Sequence, residues 1–120
     1  MALGSDVELL REKDRAHLTM YVGGMGPKGS NFYTRVVSEY GWESEAIRVQ
    51  ELYLAGDREG AARALPAALL EGTSIIGDEG YVRDRLAAYR DSGVTVLHVD
   101  PIGADPLADL RRLAEIAHDF

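Results

Sequence analysis

The sequence predicts a helix-rich α/β chain in which two short parallel strands are joined by a helix. Three observations carry this reading. Segment after segment between residues 6 and 70 places apolar residues at helical spacing. At Thr73 the character changes, and TSIIG is a short, apolar, partly β-branched run. VTVLHVD, residues 94–100, is a second such run, separated from the first by the helical stretch DEGYVRDRLAAYRDSG. A connection of that length suits a right-handed parallel crossover, and near-continuous apolar strands suit a sheet covered on both faces.

With 120 residues, 46% of them hydrophobic, the chain is expected to form a single domain over 1–120. Residues 1–72 make its helical part and 73–120 its βαβα part. The first helix is expected over 6–22, with Val7, Leu10, Leu18 and Tyr21 near helical spacing and the polar run Arg11 to Arg15 interrupting the stripe. Ser30 and Asn31 offer capping oxygens to a short amphipathic helix carrying Phe32, Tyr33, Val36, Val37 and Tyr40, ended by Gly41. Residues 43–55 repeat the pattern with Ala46, Val49, Leu52 and Tyr53, closed by Gly56. Residues 58–70 carry Ala61, Leu65, Ala68 and Leu69, and Pro66 is placed to kink or split that helix. Val82, Leu86 and Tyr89 define the helix between the two strands. Leu107, Leu110, Ala114 and Ala117 define a final one over 106–118.

Two parallel strands alone expose unpaired backbone on both edges. Such a sheet is completed by a second copy, by another polypeptide, or by the rest of a larger α/β protein.

Composition narrows the function classes. Thirteen Lys and Arg against 20 Asp and Glu give a net charge of −7, without a basic stripe, so nucleic acid is not an expected partner. There is no cysteine, hence no disulfide framework and no thiolate metal site. No apolar run reaches the roughly 18 residues that span a bilayer and no basic-then-apolar leader is evident, so no membrane association and a cytoplasmic location are expected. His17 and His118 lie far apart with no carboxylate at ligand spacing, which gives a metal site little support.

The residues at 24–29, GMGPKG, satisfy the spacing G-x-G-x-x-G of dinucleotide-binding loops. The context disagrees. Pro27 and Lys28 occupy the place where bare amides should meet a pyrophosphate, and Glu43 and Glu45, some 20 positions on, fall in a helix rather than at a strand end. A turn between helices is the expected reading. Ligands of open sheets and barrels gather beyond the carboxyl ends of strands, here Gly77 to Gly80 and His98 to Gly103. Gly77 and Gly80 offer amides to a phosphate, but Asp78 and Glu79 repel an anion there, so Asp78 is expected first as a helix cap. His98 shares a face with Val94 and Val96 near its strand end, and Asp100-Pro101 reads first as a turn and cap element. The arginines at 83, 85, 90, 111 and 112 are interleaved with acids and read as a solvated surface with weak ion pairs.

Three stretches in this order, YVGGMGPKGSNFY, IRVQELYLAGDREGAARALP and SIIGDEGYVRDRLAAYRDSGVTVLHV, resemble the C-terminal part of the luciferase-like flavin monooxygenases, especially the deazaflavin-dependent oxidoreductases. The resemblance runs from about Leu10 to the end. It implies a TIM barrel, of which these residues would supply a part: the last two strands with their helices and the helical excursion before them. A closed eight-stranded barrel takes about 200 to 250 residues. The resemblance therefore places the usual catalytic acids and bases outside this sequence, and no catalytic residue is expected within it. It implies that Gly24, Gly26, Asn31, Gly77, His98 and Asp100 line substrate or cofactor space at the barrel mouth. The cofactor of the intact enzyme would be deazaflavin coenzyme F(420) or FMN, acting on a small-molecule substrate, and none is expected to be bound by this chain alone. The expected partner is a second copy or a chain carrying the rest of the barrel. A non-catalytic self-associating α/β module and a nucleotide-binding unit are the competing readings.

Overall fold

The computed structural model describes residues 1–120. The elements in order are β1 (Ala2–Leu3), α1 (Val7–Gly24), α2 (Phe32–Val37), α3 (Glu43–Leu54), α4 (Arg58–Ala64), α5 (Ala67–Thr73), β2 (Ile76–Gly77), α6 (Glu79–Asp91) and α7 (Pro106–His118). Helices dominate, and the two strands pair in parallel with Ala2 opposite Ile76 and Leu3 opposite Gly77. The chain divides into two compact units, Glu12–Thr73 and a second made of Met1–Arg11 with Ser74–Phe120.

The first unit is wholly helical. Its core is Val22, Val37, Ala46, Val49, Ala61, Leu65 and Leu69, with Leu18, Trp42, Leu52 and Tyr53 packed around it. Burial of a residue such as Val49 contributes about 1.5 to 3 kcal/mol. Local chemistry fixes where the helices stop. Pro66 cannot donate a backbone bond, and the chain leaves helical geometry at Leu65, separating α4 from α5. Asp57 caps α4 by accepting from the Gly60 amide at 2.8 Å. Between α2 and α3 a π-helical turn, Ser38–Trp42, contains Gly41 at φ 102°, a left-handed value that glycine adopts without strain. One expectation fails here. Thr34 and Val37 are the buried face of α2, whereas Phe32, Tyr33 and Tyr40 are exposed. Thr34 Oγ1 donates to the Val22 carbonyl at 2.6 Å, so the polar threonine turns inward and the aromatic residues outward.

The second unit holds the strands. Its core is Met1, Ile75, Val82, Leu113 and Ile116, flanked by Leu3, Leu86, Tyr89 and Val99. The TSIIG run gives β2, as expected, but its partner is β1 at the N-terminus and not the 94–100 run. VTVLHVD forms no assigned strand. At its last residue and just beyond it, the Met1 amino group donates to the Asp100 carbonyl at 2.6 Å and the Ile102 amide donates to the Met1 carbonyl at 2.9 Å. A strand exists only where a neighbour supplies ladder partners, and residues 94–97 have none. The inward face of α7 also differs: Asp109, Leu113 and Ile116 are buried, while Leu107 is 65% exposed.

Candidate functional site

Gly24, Gly26 and Asn31 come together at the α1–α2 connection. α1 continues helically to Gly24, so no strand leads into the glycines and the strand–turn–helix setting of a dinucleotide loop is absent. The glycines serve close approach instead. A Cβ on Gly23 would lie 2.5 Å from the Cβ of Tyr53, and one on Gly24 would run into the ring of the same tyrosine. A Cβ on Gly26 would lie 2.8 Å from the Ser30 carbonyl oxygen.

Asn31 is 4% exposed and fully engaged. Its Oδ1 accepts from the amides of Tyr33 (2.8 Å) and Thr34 (3.3 Å), capping α2. Its Nδ2 donates to the carbonyls of Tyr21 (3.0 Å) and Val22 (3.1 Å), which are orphan acceptors at the end of α1. Two donors and two acceptor positions are the whole capacity of an amide side chain. Asn31 thereby ties the end of one helix to the start of the next.

Beside this clamp lies a cleft of about 330 Å³ lined by Lys28, Gly29, Arg35, Ser38, Ile47 and Gln50, among others. Lys28 Nζ is 3.2 Å from a carboxylate oxygen of Glu51, and the Arg35 guanidinium lies 5.6 Å from the centre of the Phe32 ring. Phe32 in turn meets Tyr33 edge-on, and Tyr33 meets Tyr21, with centroids 5.4 and 4.8 Å apart.

Gly77, His98 and Asp100 belong to the other unit. Gly77 ends β2, and its carbonyl accepts from the Gly4 amide at 3.0 Å. A Cβ there would lie 2.7 Å from the Tyr81 ring. The neighbouring Asp78 is the cap foreseen for α6, accepting from the Tyr81 amide at 2.8 Å. His98 and Asp100 are both exposed, and Asp100 is held through its backbone carbonyl, which accepts from the Met1 amino group.

A charged lattice joins α6 to α7. Glu79 accepts from two guanidinium nitrogens of Arg112, Nη2 at 2.7 Å and Nε at 3.0 Å, and from Arg83 at 3.1 Å. Arg83 also reaches Asp119 at 2.7 Å, and Arg112 reaches Glu115 at 2.6 Å. Hydrogen bonds from Arg112 first and Arg83 second hold the Glu79 carboxyl below its ordinary range. The same contacts raise Arg83, chiefly through Asp119, and Arg112, chiefly through Glu79. Glu79 and Arg83 sit four apart in sequence, which makes their pairing legible. The closure onto Arg112, 33 residues on, is a tertiary event.

Residues 2–96 match the luciferase-like monooxygenase family. Over 96 residues the chain is 32% identical to a protein of Mycobacterium tuberculosis (strain H37Rv) provisionally named a coenzyme F(420)-dependent oxidoreductase; the alignment covers 80% of this chain and 28% of that protein. The chain thus spans under a third of the length of the curated relative it matches. No solved structure matches it.

Proposed function

Because this chain belongs to the luciferase-like monooxygenase family, we propose that it is the C-terminal segment of a flavin- or deazaflavin-dependent oxidoreductase, inactive alone and completed by other barrel strands. The observation that carries the proposal is Val94 to Val99. The run is mostly apolar or β-branched, with Val94, Thr95, Val96 and Val99 all β-branched, yet it lacks strand partners, and Val96 is 71% exposed. A run of that composition is stable in water only when its backbone groups and one face find a neighbour. In the intact enzyme the neighbour is the preceding barrel strand set, with the strand-end loops contributing to the barrel mouth.

The residues present do not by themselves fit a flavin or deazaflavin phosphate at the strand end. Asp78 and Glu79 bring negative charge to the start of α6, and the space behind Gly77 is filled by Tyr81. A complete barrel would hold the cofactor, which would supply hydride chemistry toward a small organic substrate; this chain's share would be to shape and shield the mouth. Titration of the chain with oxidised deazaflavin coenzyme and with FMN tests this, and no saturable binding is expected.

The second reading is a non-catalytic self-associating module. It is favoured by the same run, which carries no acidic or basic side chain apart from His98 and so meets little repulsion when two copies pair. Light scattering distinguishes the two. A stable dimer that persists when the remaining barrel strands are supplied supports the module and opposes the barrel segment.

A further inference from the structure

Lys28 and Arg35 have no part in the oxidoreductase reading, yet they place two positive charges on one cleft of a chain whose net charge is −7. We propose that this cleft binds a small organic phosphate monoester, its phosphate held between Lys28 and Arg35 and its organic body against Ile47. Four observations combine. None of the lining side chains is itself a carboxylate, and the one carboxylate that reaches them is Glu51, 3.2 Å from Lys28. Arg35 forms no ion pair; its guanidinium rests on the Phe32 ring, which leaves its fork of N–H donors open to a planar or tetrahedral anion. Gln50, 3% exposed, donates from Nε2 to the Pro27 carbonyl at 3.3 Å, and the second hydrogen of that nitrogen has no protein acceptor. Ile47 is 42% exposed at the cleft wall, an apolar surface that a bare inorganic ion would leave wet.

Size and charge select the class. A volume of about 330 Å³ falls at the low end of small-ligand sites and exceeds what one oxyanion fills. Two cations match a group carrying about −1.5 to −2 charges at neutral pH, as a phosphate monoester does, better than a monocarboxylate. Glu51 is the built-in competitor, since its carboxylate already holds Lys28 at 3.2 Å. Ligand binding therefore exchanges one ion pair for another at Lys28 and forms a new one at Arg35.

The test is a titration of the full chain with phenyl phosphate, phenylacetate and inorganic phosphate at low salt, followed by backbone amide shifts. Phenyl phosphate is expected to give saturable shifts confined to residues 28–38 and 47–51, and inorganic phosphate the same shifts at lower affinity. Arg35→Gln should weaken phenyl phosphate about tenfold, the loss of one charge-assisted pair. Glu51→Gln should tighten it by freeing Lys28. Both side chains are exposed, so an unchanged circular dichroism spectrum is expected for each variant. Absence of saturable shifts, equal affinity for phenylacetate or inorganic phosphate, or an unaltered affinity in Arg35→Gln would overturn the proposal. This proposal rests on the chain's own cleft and not on the oxidoreductase reading. FMN is itself a phosphate monoester, so FMN binding that is lost in Arg35→Gln belongs to this cleft, whereas deazaflavin or FMN binding that persists in Arg35→Gln counts against the proposed function alone.

Discussion

Asn31 concentrates more of the helical unit's order than any neighbouring side chain, because four backbone groups from two helices depend on it. Replacing an exposed cap costs about 1 kcal/mol, and stranding buried carbonyls adds to it. Asn31→Ala should therefore destabilise by about 2 to 3 kcal/mol, read as a lower urea midpoint at unchanged slope. Asn31→Asp keeps the cap but sets a carboxylate against the carbonyls of Tyr21 and Val22, so it should rescue little. The glycines beside it make a complementary case. Gly23→Ala forces its new methyl onto Tyr53 and should cost about 1 to 3 kcal/mol. If thermal melts of Gly23→Ala and of wild type coincide, the contact with Tyr53 is not tight. At the other end of the chain, Asp109 is 9% exposed and its Oδ2 is buried without a hydrogen-bond partner. A Cβ on Gly103 would collide with that oxygen.

At the scale of elements, the α6–α7 lattice gives a pH signature. Glu79 has its folded pKa lowered by Arg112 and Arg83, so its contribution is present above the unfolded carboxylate value and is lost as pH falls through the folded one. The urea midpoint of Glu79→Gln should lie below wild type at neutral pH, and the gap should close as pH drops below about 4. A gap that persists or widens in acid would show that Glu79 acts through packing. Most helices were legible from the sequence because their signals are local: Asn31 and Asp78 as caps, Gly41 and Gly56 as stops, and Pro66 as a break. The strands were less legible. A two-residue β1 carries no periodicity, and the β-branched 94–100 run signals strand propensity without supplying a partner. The same limit hid the inward faces of α2 and α7. Thr34 turns inward to reach the Val22 carbonyl and Asp109 is buried, and no hydrophobic pattern marks either residue.

At the scale of the whole molecule, family membership and the match to 28% of a longer relative set the question of completeness. The glycine loop illustrates why fold context outranks a motif, since G-x-G-x-x-G here begins at the end of an 18-residue helix and packs on Tyr53. If Thr95 to Val99 await other strands, their amides should exchange rapidly in the chain alone, while the Val94 amide, bonded to the Tyr89 carbonyl at 3.0 Å, and those of α3 are protected. Val96→Lys should leave the melting temperature of the isolated chain nearly unchanged, because the side chain is exposed, and should abolish association through this run. We propose that this chain is a C-terminal segment of its family's enzymes without a cofactor site of its own. The most direct test is a fluorescence titration of the chain with oxidised deazaflavin coenzyme. The account predicts no saturation at micromolar coenzyme; a micromolar dissociation constant, with one coenzyme per chain, would contradict it.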